Sequence, residues 1–325
     1  MRDLTRLPKS HLHVHLESTV RWQTLREIGD ANGVALPEQP RGFDGFRQFA
    51  DHNALVRDCL RRPEDFARAA REFCADEAAQ GTRYAEVTFT AAAHGERLGH
   101  PEMPLEAVLD GLAQGQADTG MECRVLLDHS RRRSVQRAWA TLRLATRYEQ
   151  VIALGMAGEE SYPLAPFAEV IDAAHDAGVH LVHHAGEARG PDSIREAITT
   201  GRTERLGHGI RVLDDDALLA EVRDRGIPLE VCPSSNVALG FAGSPAQHPL
   251  PALRDAGLRV TVNTDVPAIV GTTLTQEYAL LRDTFGYSDE VMAELARTAI
   301  EASFASEATK QRLHRETDAW LADQR

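Results

Sequence analysis

Histidines and carboxylic acids stand at the ends of several apolar segments, and such side chains can bind a cation or transfer a proton. His13 and His15 are two positions apart in "SHLHVHL". Successive side chains of a strand point to opposite faces, so both imidazoles of this pair are expected on the same face. The other candidates close separate apolar segments: His184, Glu187, His208 and Asp265.

Two imidazoles on one face, with a third histidine and a carboxylate from other strands, would form a nitrogen- and oxygen-rich cation site. Zinc suits this ligand set, and iron, cobalt and manganese stay open. A cation with open coordination positions lowers the pKa of a bound water. His208 would then act as a general base or water-orienting group, and Glu187 would deliver a proton to a substrate.

Two neighbouring histidines are not expected to join this site. His11 shares the strand face of His13 and His15 but lies one layer deeper, which predicts a packed, hydrogen-bonded core residue. His183 directly precedes His184, so its side chain must face the other way.

The elements that position these residues follow one pattern: a β-branched or apolar run closed by a polar or small residue, then a helical stretch that ends at glycine, as at Gly178 and Gly226. This alternation is typical of βα units and a parallel sheet. The predicted strands are 10–16, 84–89, 122–129, 151–158, 179–187, 204–209, 227–236 and 259–265. Eight strands in 325 residues favour a (β/α)₈ TIM barrel, in which strand carboxyl ends meet at one mouth.

The chain is expected to form one domain over residues 1–325, with two parts outside the alternation. Residues 18–80 are longer than a crossover needs and are predicted to form a helical insertion near the mouth, as a lid or as extra packing. The tail from Leu274 to Arg325 is predicted to be helical.

Composition narrows the choice of partner and compartment. The formal charge of −13 argues against nucleic acid and anionic membrane surfaces and favours a small molecule. The four cysteines form no CxxC pair, which indicates reduced thiols. Residues 1–16 lack the apolar stretch of a signal peptide, and no apolar run is long enough to span a membrane, so a cytoplasmic location is expected. The oligomeric state is left open.

Several motifs together resemble those of the adenosine deaminase family, in the amidohydrolase superfamily. They occur in the family's order and spacing: "PKSHLHVHLES", "GMAGEE", "HHAGE", "RLGHG", "EVCPSSN" and "VNTDVP". The resemblance covers nearly the whole chain and implies a metal-dependent (β/α)₈ barrel that replaces an aromatic amine with oxygen and releases ammonia.

The resemblance also implies roles for individual residues. It implies zinc ligands at His13, His15, His184 and Asp265. Glu187 matches the donor of a proton to purine N1, and His208 matches the residue that activates the attacking water, so that both are predicted catalytic residues together with Asp265. These roles agree with the chemistry inferred from the residues alone.

Four positions are implied to contact the substrate, and two of them depart from the family pattern. Gly158 matches a glycine whose amide contacts purine N3, and Glu17 matches an acidic residue that can contact ribose. Ser18 replaces a glycine, which should crowd that side of the pocket. Val266 replaces the second aspartate of "TDDP", which hydrogen-bonds to purine N7. An unpaired buried acceptor costs ~1–3 kcal/mol, so adenosine and adenine are not the expected substrates.

The predicted function is therefore zinc-dependent hydrolytic deamination of an aminopurine-type nucleoside or base, with a non-standard analogue of adenosine or adenine as substrate. The alternatives are an ordinary adenosine or adenine deaminase, another amidohydrolase reaction such as ring opening or amide hydrolysis, and a catalytically silent metal-binding relative. The succession of "HAGE" and "GHG" favours deamination.

Overall fold

All eight predicted strands are present in the structure, a computed structural model that describes residues 1–38 and 54–323. The strands are β1 (Lys9–His11), β2 (Thr82–Phe89), β3 (Glu122–Ser130), β4 (Val151–Ala157), β5 (His180–Ala185), β6 (Arg205–His208), β7 (Leu229–Val231) and β8 (Val260–Val262). Strands β1, β7 and β8 are shorter than predicted. After β7, the chain enters a helix at Pro233, because proline cannot donate to a sheet ladder.

The strands form one sheet in the order β1 to β8, and neighbouring strands pair in parallel. The last strand meets the first through a parallel bridge between Val14 and Asp265. Two backbone hydrogen bonds hold this seam, from His15 N to Asp265 O at 2.9 Å and from Asp265 N to His13 O at 3.0 Å. The predicted parallel (β/α)₈ barrel is confirmed, and its seam lies at the candidate site.

Helices follow the strands and pack around the sheet. They are α1 (Trp22–Asn32), α2 (Pro63–Ala79), α3 (Ala91–Leu98), α4 (Met103–Thr119), α5 (Val135–Arg147), α6 (Ala168–Asp176), α7 (Pro191–Thr199), α8 (Asp216–Asp224), α9 (Pro233–Ala238), α10 (Leu250–Asp255), α11 (Pro267–Val270), α12 (Leu274–Phe285), α13 (Asp289–Ala302) and α14 (Glu307–Ala322). Short 3₁₀ turns cover Leu4–Arg6, Leu16–Thr19, Ala165–Phe167, Ile210–Asp214 and Pro245–Gln247. Among the described residues, no helix is long and apolar enough to cross a membrane.

Helices α1 and α2 lie within the predicted insertion between β1 and β2, while residues 39–53 of it fall outside the described residues. Helix α2 buries Phe66 and Phe73 in the main apolar core, so it packs as part of the barrel wall. Ser18 and Arg57, from the same segment, line the cavity at the mouth. The four cysteines are buried and form no disulfide, as the sequence predicts.

Candidate active site

Four side chains converge at the mouth of the barrel, two from strands β5 and β6 and two from the seam between the first and last strands. One ligand atom from each lies within 4.8 Å of every other, and the four are His13, His184, His208 and Asp265. His15, a predicted metal ligand, lies beside them: its Nε2 is 3.3 Å from His184 Nε2 and 3.4 Å from Asp265 Oδ1. The structure therefore brings all the predicted ligands together and places His208 equally near.

The His13 ring shows that this cluster fits a cation. Its Nδ1 lies 2.8 Å from Glu230 Oε2, and its buried Nε2, which faces Asp265, has no hydrogen-bond partner among the described residues. Burial opposes a charge on this ring, yet Asp265 and Glu230 raise the pKa of His13 to about 10. The surroundings thus favour positive charge at this point, and a metal ion that displaces the Nε2 proton would place its own positive charge there.

Buried carboxylates and one buried arginine lie next to the candidate metal ligands. Arg205, on β6, donates from Nε to Glu230 at 2.6 Å and from Nη2 to Glu86 at 2.5 Å. Although burial works in the opposite direction, Arg205 and His13 hold the pKa of Glu230 below its ordinary value. Asp128 is 3.9 Å from His15 Nδ1. These partners can fix the orientation of the ligand rings.

The backbone at two site residues is strained. His208 and Asp265 have φ angles of 66° and 61°, a left-handed conformation that side chains other than glycine adopt rarely. Such strain is concentrated at functional sites. At the neighbouring Gly207, an added Cβ would lie 3.0 Å from His13 Cε1, so this glycine allows the His13 ring to approach β6 closely.

Glu187 is placed to hold a proton. Burial, together with the charges of Asp265 and Glu160, raises its pKa well above the ordinary value. Asn236 Nδ2 donates to Glu187 Oε1 at 3.0 Å, and His208 Nδ1 lies 3.4 Å from the same oxygen. A carboxylic acid that stays neutral near pH 7 can act as a general acid.

The backbone that carries Glu187 is anchored by another carboxylate. Glu160 accepts hydrogen bonds from the amides of Gly186, Glu187 and Ala188 at 2.7–2.9 Å and from Ser193 Oγ at 2.6 Å. The turn after β5 is therefore held by one buried side chain of the β4 loop.

His208 differs from His13 in its charge state. Burial, followed by the charge of His13, lowers the pKa of His208 to about 3, so its imidazole is neutral. Asn236 Nδ2 lies 3.3 Å from His208 Nδ1 and His248 Nε2 lies 3.1 Å from Asn236 Oδ1. A neutral imidazole beside the cation cluster can accept a proton from water.

The two excluded histidines lie where the sequence predicts. His11 is fully buried, with Nε2 3.0 Å from Thr264 Oγ1 and Nδ1 3.0 Å from Glu77 Oε2. His183 accepts from Met156 N at 3.0 Å and donates from Nε2 to Gly201 O at 2.8 Å, facing away from the cluster.

A cavity of about 240 Å³ opens above the cluster, and Glu17, Ser18 and Gly158 line it. Gly158 has a φ of 85°, and a Cβ there would meet Ser130 Oγ at 3.0 Å. Glu17 Oε1 accepts from Thr90 N at 3.1 Å and lies 3.2 Å from His94 Nε2, so this oxygen already has partners within the protein. Ser18 is almost fully buried. Their contacts with substrate stay predictions.

Val266 lies next to this cavity but packs into an apolar cluster with Leu239 and Ile269. Within the described part of the chain, the cavity lining includes Leu239 but not Val266. A direct contact between Val266 and substrate stays a prediction.

Sequence reasoning missed several residues that organise the site. They are Asp128, Glu160, Glu230, Ser235 and Asn236. Signals for some of them were present: Glu230 interrupts the apolar run of β7, and Asp128 ends the apolar run of β3. Ser235 donates to Asp265 Oδ2 at 2.6 Å, a contact that only the fold reveals.

Comparison with known proteins assigns the family. Residues 8–320 match the family model described as adenosine deaminase. The chain is 34% identical to the adenine deaminase of Agrobacterium fabrum over 94% of this chain and 97% of that one. It is 35% identical to the aminodeoxyfutalosine deaminase of Streptomyces coelicolor over 97% of this chain and 86% of that one. The crystal structure of adenine deaminase from Arthrobacter aurescens matches with a TM-score of 0.93 at 30% identity, covering 97% of this chain and 99% of that one. The chain therefore belongs to the adenosine deaminase family and is a hydrolytic deaminase that acts on carbon–nitrogen bonds.

Proposed function

We propose that the protein catalyses zinc-dependent hydrolytic deamination of an aminopurine nucleoside or base, in which water replaces the ring amine and ammonia leaves. The observation that carries the proposal is that Glu187, whose pKa burial raises well above the ordinary value, lies beside a cluster of possible metal ligands and a neutral His208. Its relatives support the purine class, since they include two adenine deaminases and an aminodeoxyfutalosine deaminase.

The roles of the side chains follow from their charge states. His13, His15, His184 and Asp265 would hold the zinc ion. When bound, the ion would supply Lewis-acid chemistry that lowers the pKa of a water towards neutrality. His208, a neutral imidazole facing the cluster, would orient a water molecule and accept a proton, and Glu187 would donate a proton to a nitrogen of the purine ring. Asn236 links the two groups, because its amide contacts both Glu187 and His208.

We further propose that the preferred substrate is an analogue of adenosine or adenine. The support is the apolar cluster of Leu239, Val266 and Ile269 at the place where the family pattern has a second aspartate. Leu239 of this cluster lines the cavity, and an apolar side chain cannot pair with purine N7, so the site would lack this contact with adenosine or adenine. We also propose one domain over residues 1–325 and a cytoplasmic location.

The test is release of ammonia from a panel of aminopurines by the zinc-loaded protein. Adenosine, adenine, N6-substituted adenines, and 7-deaza and 8-substituted analogues form the panel. We expect turnover of at least one analogue and slower turnover of adenosine. Efficient turnover of adenosine would support the ordinary deaminase instead, and silence on the whole panel would contradict the proposal.

Glu187→Gln supplies the matched control variant. This substitution keeps the shape of the side chain and its contact with Asn236 but removes the proton that is donated. We expect kcat to fall by about 10²–10⁴-fold, because that range is typical of general acid–base catalysis. Zinc content should stay at one ion per chain, and an active Glu187→Gln variant would refute the role of this residue.

A further inference from the structure

A buried histidine in the connection between β7 and β8 joins the main chain of that connection to the active site. His248 follows the 3₁₀ turn Pro245–Gln247 and is only 3% exposed. Pro249 comes next, and a residue before proline is restricted to extended backbone. His248 has that conformation, with a φ of −66° and a ψ of 136°. The proline therefore helps to fix the backbone from which this imidazole projects.

The protonation of the His248 ring follows from its surroundings. Leu250 N lies 3.1 Å from His248 Nδ1, and a backbone amide can only donate, so Nδ1 must carry a lone pair. Burial lowers the pKa of His248 to about 4, and the ring is therefore neutral near pH 7. A neutral imidazole carries one proton, which then lies on Nε2.

This tautomer fixes the direction of a buried amide. His248 Nε2 lies 3.1 Å from Oδ1 of Asn236, a fully buried residue of helix α9. The oxygen and nitrogen of an amide have nearly the same shape, so hydrogen-bond partners decide which of them faces a given neighbour. Because Nε2–H donates, the atom opposite it must be the acceptor Oδ1. His248 thus turns the NH₂ end of Asn236 away from itself.

The NH₂ end of Asn236 faces the proposed general acid. Asn236 Nδ2 donates to Glu187 Oε1 at 3.0 Å. An N–H donor at Oε1 favours the proton of the neutral acid on the other oxygen, Oε2, where it is directed away from Asn236. With the amide reversed, Asn236 Oδ1 would face Oε1 and would hold the proton of Glu187 in a hydrogen bond. The direction of this amide therefore decides whether the proton is available for transfer.

We propose that His248 is a positioning residue for proton transfer by Glu187, because it keeps the NH₂ end of Asn236 towards this acid. The proposal rests on the deaminase function proposed above and adds to it a residue of the connection between β7 and β8. Leu250 N donates to His248, His248 donates to Asn236, and Asn236 donates to Glu187. Each group in this series fixes the hydrogen-bonding role of the next.

Two substitutions of His248 separate the effect of the donor from the effect of the ring's volume. His248→Gln keeps an N–H donor for Asn236, whereas His248→Leu has none. With the fastest aminopurine of the panel above as substrate, we expect His248→Leu to lower kcat about 5- to 100-fold, the range for an unpaired buried hydrogen-bonding group. KM should change less than about threefold, and His248→Gln should keep kcat within about threefold of the wild-type value.

A purely structural role for His248 predicts a different result. General disruption of the site would raise KM, lower the zinc content and affect both substitutions equally. That outcome, or a wild-type kcat in His248→Leu, would overturn the proposal. His100→Leu, at an exposed histidine, controls for the loss of an imidazole and should leave kcat and KM unchanged.

Nitrogen NMR separates failure of this proposal from failure of the deaminase function, because it needs no substrate. Protein labelled with ¹⁵N in histidine and asparagine shows which nitrogen of His248 carries the proton and how the Asn236 amide is bonded. A proton on Nε2, with Asn236 amide signals that shift in His248→Leu much more than in His248→Gln, supports the proposal even if no aminopurine is turned over. A proton on Nδ1, or Asn236 signals that are unchanged in His248→Leu, would overturn it even if ammonia is released.

Discussion

Individual histidines at this site differ in charge because their neighbours differ. Two carboxylates raise the pKa of His13 to about 10, whereas burial and the charge of His13 lower the pKa of His208 to about 3. Both residues end or follow short strands and have the same side chain. Their roles therefore depend on the carboxylates within about 4 Å, which a motif does not display.

Val266 gives a prediction at the scale of one residue. Val266→Asp would place a carboxylate in the apolar cluster with Leu239 and Ile269, where Val266 is 1% exposed. We expect the free energy of unfolding to fall by ~1–3 kcal/mol, because a buried polar group without a partner costs this much. Urea denaturation at pH 7 measures the change.

The matched control is Val270→Asp, four residues later at the end of helix α11, where the side chain is only partly buried. Its loss of stability should be smaller. A Val266→Asp protein that keeps its stability and gains adenosine turnover would show that this side chain reaches the substrate, as the sequence resemblance implies.

The strands of the barrel place their last side chains at one mouth. Strand β6 ends in His208, whose backbone is left-handed. Asp265, in the seam after β8, has a left-handed backbone as well. Strand β7 carries Glu230 into the barrel interior, where it contacts both His13 and Arg205. Strand β6 thus supplies a site residue, strand β7 supplies a residue that orients a candidate ligand, and His13 and Asp265 follow β1 and β8.

Glu230→Gln tests the contribution of β7. The amide keeps the shape of the carboxylate but removes the charge that holds the His13 ring, and loss of such supporting partners typically lowers metal affinity 10–100-fold. We expect a decrease of this size in zinc affinity, measured by competition with a chelator.

Glu204→Gln is the control for this prediction, because Glu204 is an exposed carboxylate that pairs with His180 on the outside of the barrel. Its zinc affinity should match that of the wild type. If Glu230→Gln also binds zinc with wild-type affinity, the contact between Glu230 and His13 does not contribute to metal binding.

The stability of the whole molecule depends on buried histidines that stay neutral. Burial lowers the pKa of His248 from 6.5 to about 4, while Leu250 N donates to its Nδ1 at 3.1 Å. The unfolded chain takes up this proton near pH 6.5 and the folded protein only near pH 4. The stability associated with His248 is therefore present above pH 6.5 and is lost as the pH falls towards 4.

His248→Gln should make the stability of the whole protein less sensitive to acid. We expect the slope of unfolding free energy against pH between 4 and 6.5 to decrease by about 1.4 kcal/mol per pH unit, the value for one proton. Denaturation series across this pH range measure the slope. His100→Gln, at an exposed histidine, controls for the loss of an imidazole, and an unchanged slope in His248→Gln would contradict the prediction.

The barrel and its chemical centre could be predicted from the sequence because both depend on local patterns. Strand and helix alternation predicts the (β/α)₈ order, and the two-residue spacing of His13 and His15 predicts a shared face. The strand lengths were harder to predict from the sequence. Strand β7 ends at Val231, because Pro233 begins a helix that leads the chain out of the sheet.

The fold class, the family and the set of residues at the mouth could be predicted from the amino-acid sequence alone, since these follow from periodicity and motif order. The fold was needed to show how Glu160 anchors the Glu187 backbone, that Val266 packs with Leu239 and Ile269, and that Arg57 and Arg133, from separate segments, line the same cavity. Those features depend on distances between residues far apart in the chain, and long-range packing and burial set those distances.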